Sequence, residues 1–249
     1  MGLSLIALAA LAAAILVTSF ISGILGMAGG MMLMGVLLVL LPLPAAMMLH
    51  GIAQLAANGS RALMLWREID RRVIAGYATG AVVVLGAFVV TRCVADKTIA
   101  LITMGLTPFA ALALPDRLQL DVERPWHPLA CGAACTVLAL TAGVAGPVLD
   151  VFFARSAMSR HRVVATKAAT QSLGHVMKIV YFGGVVAAGN DAIPIWLAVS
   201  VVVLAVTGTS LSRRVLERIS DASFRAWTRW TIMGIGAAYL ASGLSAAWR

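Results

Sequence analysis

The chain has 249 residues, of which 61% are hydrophobic and only 12% charged, against roughly 25% charged in an average soluble domain. Its mean hydropathy of +0.96 and its recurring apolar runs of about 20 residues, the length that spans a bilayer as a helix, exclude an ordinary water-soluble domain. The net charge of +9 does not point to nucleic acid, because the basic residues sit in short turns between apolar runs rather than along one face.

Lipid offers backbone amides no hydrogen-bond partner, so spanning segments of this kind are helices. The expected fold class is an all-α membrane protein, a polytopic helical bundle. In chain order the first half predicts five apolar elements at residues 3–22, 27–41, 45–66, 73–91 and 98–115. The first carries no Lys or Arg through residue 17, so it lacks the basic head of a cleaved signal peptide and reads as a span. The stretch DRLQLDVERPWHP at 116–128 bears both signs of charge and two prolines, as a loop does. Beyond it the second half predicts elements at 129–143, 146–155, 163–188, 193–211 and 226–248. The expected organisation is an N-terminal transmembrane repeat at 1–115, a cytoplasmic linker at 116–128 and a C-terminal transmembrane repeat at 129–249. Cys93, Cys131 and Cys135 have no metal-site spacing and read as packing residues. Neither a metal nor a cofactor is expected.

A register shift of 117 residues supports the repeat. It lays Gly26 and Gly29 on Gly143 and Gly146. It also brings His50 onto Lys167, Gln54 onto Gln171, Asn58 onto His175 and Arg61 onto Lys178. Five elements per half require the halves to lie inverted in the membrane. Loop charge agrees: twelve basic residues (Arg67, Arg71, Arg72, Arg117, Arg124, Arg155, Arg160, Arg162, Arg213, Arg214, Arg218 and Arg225) fall on one side, against Arg92, Lys97 and Arg249 on the other. That bias marks the cytoplasmic side and puts both termini outside, in the periplasm for a bacterial inner membrane.

The second element of each half is short and follows a glycine-rich break. Clustered glycines destabilise a helix by about 1 kcal/mol each relative to alanine. A break frees amides at the start of the next helix, where the dipole also favours an anion. The amides near Gly29, Gly30 and Met31, and those near Gly146 and Val148, are therefore candidate anion holders. The alternative reading makes these glycines close-packing residues. On the third elements, His50, Gln54, Asn58 and Arg61 share one helical face, as do Lys167, Gln171, His175 and Lys178. Lys and Arg are costly at mid-membrane, and Asp150 is the one acidic residue well inside an apolar run. The missing negative charge is expected to arrive with the substrate. Gln54, Asn58, Gln171, His175 and Lys178 are thus candidate substrate ligands, with His50, Arg61 and Lys167 as attracting charges. Asp150 and His175 are the candidates for proton coupling. Each has a plainer reading. Arg61 and Lys167 can snorkel to the interface, Asp150 can neutralise Lys178 or another base, and the histidines can be hydrogen-bonded core residues; Arg229 reads as an interface residue.

At these residues the sequence resembles the TauE/SafE sulfite exporter family, also called the toluene sulfonate uptake permease family. The resemblance rests on Gly23, Gly26, Gly29 and Gly30, on Gly143, Gly146 and Pro147, on the turn with Pro42 and Pro44, on the small-residue helix carrying Asn58, and on the two-half layout. It implies a bacterial inner-membrane carrier for sulfite, sulfonates or related sulfur-containing anions. The chain departs from the family pattern at Met31, Met32, Leu33 and Met34, where a proline is usual, and at Asp150.

The expected function is a secondary transporter of such an anion by alternating access. The low aromatic content of 6% favours a small substrate. The expected partners are that anion and membrane lipid, with a homodimer allowed and nucleic acid excluded. A passive anion channel is the nearest alternative, and an assembly subunit a further one. An intramembrane enzyme using Ser22, His50, His175 and Asp150 lacks any recognised nucleophile or zinc motif.

Overall fold

The computed structural model describes residues 4–114, 120–189, 193–216 and 221–248. Among them are ten α-helices: α1 (Leu5–Leu25), α2 (Met27–Leu40), α3 (Leu43–Met64), α4 (Arg71–Thr91), α5 (Lys97–Ala113), α6 (His127–Thr141), α7 (Gly146–Phe153), α8 (Arg160–Ala188), α9 (Ile195–Leu216) and α10 (Asp221–Ala247). A single 3-10 turn, Trp66–Glu68, follows α3. Ten elements were expected, and each helix falls on one of them. The largest differences are at α9, which runs to Leu216 rather than residue 211, and at α10, which is already helical at Asp221 rather than from residue 226.

Local signals set the boundaries. Ser4, Asp70, Asp96 and Ser159 each cap a helix by accepting a backbone amide of its first turn, which satisfies a donor the helix leaves free. Pro44, Pro128 and Pro147 occupy the first turns of α3, α6 and α7, where the missing N–H costs nothing. Several basic residues assigned to the arginine-rich side, Arg117 and Arg218 among them, lie outside the described residues, as do Arg249 and the start of the linker. The side chains of Arg213, Arg214 and Arg225 do too.

Among the described residues, four helices are long and apolar enough to cross a membrane: α1, α4, the stretch 195–212 of α9 and the stretch 227–247 of α10. Their outward faces are apolar, with Val90 83% and Trp230 75% exposed. Polar and charged side chains meanwhile lie buried, among them His50, Gln54, Asn58 and Lys178. An apolar exterior around a polar interior is the arrangement lipid demands.

Helices pair across the middle of the sequence. α1 packs along α9, α4 along α6, and α5 along α10, while α3 and α8 run together at the centre. α2 is held against α1, α3 and α10, and α7 against α6, α5 and α8. The main core gathers Leu33, Met34, Leu37, Met47, Met104 and Phe182, from α2, α3, α5 and α8.

Candidate functional site

The site is built on the two breaks and the two central helices. Between α1 and α2 a single residue, Gly26, turns the chain at φ +65°. α2 then runs back so close to α1 that a Cβ on Gly29 would overlap the backbone at Thr18 and Ser22. Between α6 and α7 the chain turns at Gly143, with φ +80°. Positive φ at both points is open to glycine without strain. The two breaks meet: a Cβ on Gly146 would press on Met27, and one on Gly143 on the sulfurs of Met34 and Met47.

At this meeting point lies a cavity of about 40 Å³. Its wall includes Gly30 and Met31 of α2, His50 and Gln54 of α3, Gly143 to Gly146 of the second break, and Gln171 and His175 of α8. A water needs roughly 10–15 Å³ by this measure, so the space suits an anion of a few heavy atoms. Two nitrogens of the wall, Gln54 Nε2 and His175 Nδ1, are buried without a hydrogen-bond partner. Buried donors are nearly always satisfied, and an unpaired one costs about 1–3 kcal/mol. Asn58 fixes one of them in place. Its Nδ2 donates to the Gln54 backbone carbonyl at 3.0 Å and to Gln54 Oε1 at 3.4 Å, which leaves the amide nitrogen for the cavity.

Behind the cavity, His50 and Lys178 tie the two breaks together. His50 Nε2 is 2.9 Å from the Gly30 carbonyl, and its Nδ1 is 2.6 Å from Lys178 Nζ. Lys178 Nζ also donates to the Gly143 carbonyl at 2.9 Å. One chain of hydrogen bonds thus runs from the first break through α3 and α8 to the second. The carbonyl is an obligate acceptor, so His50 carries its proton on Nε2 and accepts from Lys178 at Nδ1. The His175 ring stands edge-on to His50, with centroids 5.7 Å apart. Lys178 is fully buried, and among the described residues it has no carboxylate partner.

Several expected residues lie elsewhere. Asp150 does not approach Lys178: it pairs with Lys167, their side chains 40% and 26% exposed. The reason is reach, since Lys167 precedes Lys178 by eleven residues of α8, about 16 Å at 1.5 Å per residue. Asp150 is therefore not the neutraliser of Lys178, and it is not on the cavity wall. Val148, Lys167 and Arg61 are also off the wall, and Arg61 sits in the last turn of α3. Asn58 and Lys178 act from behind it. At the first break, α2 starts at Met27, so its free amides are those of residues 27–29. Gly30 and Met31 already belong to the helical ladder. They meet the cavity as wall residues and use their carbonyls, Gly30 toward His50 and Met31 toward the Tyr239 hydroxyl. In α7 the free amides are those of Gly146 and Val148, because Pro147 has none.

Tyr77, Cys135, Ala139 and Gly174 also line the cavity and were not foreseen. Tyr77 is one of three tyrosines in the chain. A hydroxyl six residues into an apolar helix was the one available signal.

At the arginine-rich end a separate polar layer closes the bundle. Arg162 pairs with Asp70 at 2.7 Å, and the Asp70 amide donates to Thr166 Oγ1 at 3.0 Å. Partial burial pushes the Asp70 carboxyl up. The hydrogen bonds from the Val73 amide, Arg162 and the Arg72 amide outweigh it and hold the group below the usual carboxylate range. Glu123 of the linker accepts from Ser156 Oγ at 2.9 Å and from the Ala157 amide. The Val122 amide donates to the Phe152 carbonyl at 3.0 Å, which ties the linker to the end of α7.

A polytopic helical protein with a polar cavity between two broken helices, backed by a buried lysine, belongs to the class of membrane transporters. The chain itself belongs to the sulfite exporter TauE/SafE family, whose model matches residues 11–239. Neither a curated protein nor a solved structure matches it.

Proposed function

We propose that this protein is a secondary carrier of a small sulfur-containing oxyanion, sulfite first among them, in a bacterial inner membrane. The single observation that carries the reading is the cavity wall. Two buried nitrogens, the amide donor Gln54 Nε2 and the ring nitrogen His175 Nδ1 (a donor in the tautomer that carries its proton there), lack partners, beside a buried lysine that no described carboxylate balances. Donors of this kind are completed by an oxyanion, and charge-assisted hydrogen bonds are the strong ones. The small volume favours sulfite over a bulky aryl sulfonate. Gln171 supplies a further amide, and the first-turn amides of α7 at Gly146 and Val148 add their dipole.

Alternating access would come from two inverted five-helix repeats, residues 1–115 and 129–249, rocking about this site. Helix starts support the repeat. α3 and α8 begin at 43 and 160, 117 residues apart, while α4 and α9 begin at 71 and 195, 124 apart. The step of seven equals the extra length of α8, 29 residues against 22. Seven residues are close to two turns, so the lengthening keeps each face where it was. Packing supports it as well: α1 with α9 mirrors α6 with α4, and α2 with α10 mirrors α7 with α5. In this arrangement both termini are periplasmic and the linker is cytoplasmic.

Uptake of labelled sulfite into liposomes holding the purified protein tests the reading, beside Gln171→Ala. Saturable uptake that falls in the variant is expected. Flux that never saturates would make the protein a channel. No sulfite flux in either direction would remove sulfite as the substrate.

A further inference from the structure

The carrier reading leaves the driving ion open, and neither Asp150 nor any other described carboxylate reaches the cavity. The geometry points to the His50–Lys178 hydrogen bond as the site that takes up a proton with the anion and, in doing so, opens the link between the two halves. This inference rests on the carrier reading.

His50 Nδ1 and Lys178 Nζ lie 2.6 Å apart. Two nitrogens at that distance share one proton; a second would place two cations in contact inside a dry core, where like charges repel strongly. Without an anion the pair therefore holds a single positive charge, on the lysine, with a neutral His50 between Lys178 and the Gly30 carbonyl. Surrounding groups do not alter this. Those facing the pair are His175 of α8 and, across the cavity, Tyr77 of α4 and Cys135 of α6. None is a carboxylate. α2 carries no titratable side chain, and the Asp150–Lys167 pair of α7 and α8 neutralises itself away from the cavity wall.

An anion entering the cavity changes the balance, because His50 is a wall residue. A negative charge beside the imidazole stabilises its cationic form, and binding of the anion and of a proton become linked. The proton comes from water through the cavity and is bound at Nδ1, the ring's one in-plane lone pair, which until then accepts from Lys178. Nδ1 then donates instead of accepting, so the bond from Lys178 is lost while Nε2 keeps Gly30. Lys178 stays protonated and keeps Gly143. The chain from break to break is cut at its middle, between α3 and α8, so the event that loads the proton also frees one half from the other.

The test measures protons per bound sulfite by calorimetry in buffers of different ionisation enthalpy, on the whole protein in detergent at about pH 8, where sulfite is mostly dianionic and a neutral histidine is the resting form. His50→Gln is the informative variant. Its Oε1 accepts from Lys178 and its Nε2 donates to Gly30, but it takes up no proton. Wild type should take up about one proton per sulfite and His50→Gln none. Uptake that persists in His50→Gln would mean that sulfite or another group is protonated, and overturns the proposal. So does wild-type binding with no uptake, while saturable sulfite flux in that case leaves the carrier reading standing. Absence of sulfite binding overturns both. Should His50→Gln fail to fold, ¹⁵N imidazole shifts of the four histidines in wild type decide the matter. His50 should move from neutral to imidazolium as sulfite saturates, and an unchanged His50 signal sinks the idea.

Discussion

The third helices of the two halves, α3 and α8, carry the same polar spacing and deliver it to different depths. Both begin at the same register position, with the first residue of the shared stripe seven residues in: His50 in α3 and Lys167 in α8. The last is Arg61 in one and Lys178 in the other. Arg61 is three residues from the end of α3, whereas Lys178 is followed by ten more residues of α8. A cation at a helix end reaches water by snorkelling; one ten residues from the end is held inside. Face is set by spacing and depth by length, and it is depth that turns a basic residue into a buried site.

The comparison breaks most readily at its two ends. Lys178→Met removes the hydrogen bonds to His50 and Gly143 and the cavity's fixed charge. Sulfite uptake should fall more than about 100-fold, the equivalent of losing roughly 3 kcal/mol of charge-assisted bonding. Arg61→Ala, at the equivalent register position, should change it by less than about threefold, in line with a charge in the last turn of α3 and off the cavity wall. Equal losses would erase the distinction in depth.

The glutamines sharpen it from the middle of both helices. Gln54→Ala and Gln171→Ala should each weaken sulfite about tenfold, the worth of one hydrogen bond to a charged group, seen as a raised half-saturation concentration. A loss at Gln171 alone would place the anion on α8 only.

The smallest effect lies where α8 begins. Asp70 accepts from Arg162 and caps α4, and its depressed carboxyl stabilises the fold above the unfolded value of about 3.9. That contribution is lost as pH falls through the lower folded value. With Arg162 half exposed, Asp70→Asn should cost about 1 kcal/mol at neutral pH and nothing in strong acid, as read by detergent unfolding curves across pH.

Much of this was legible in the sequence because membrane physics writes it there. Apolar runs gave ten elements, with α3 expected at 45–66 and found at Leu43–Met64. Period-3.6 spacing put Gln54 and Gln171 on faces that line one cavity. The partners were not legible. Asp150 looked like the counter-charge of Lys178 or of another base, and only the fold shows that the base is Lys167. His50 read as an attracting charge or a hydrogen-bonded core residue, and its partner Lys178, 128 residues away, could not be named from spacing.

The sequence by itself determined the class of protein, the helices, the glycine breaks and the faces that carry polar groups, since each depends on neighbours within a turn or two. Only the tertiary structure decided which polar groups meet, which nitrogens are left unpartnered and how large the space between them is. Those depend on how helices from opposite halves cross, and an angstrom of approach there separates a hydrogen bond from a cavity wall.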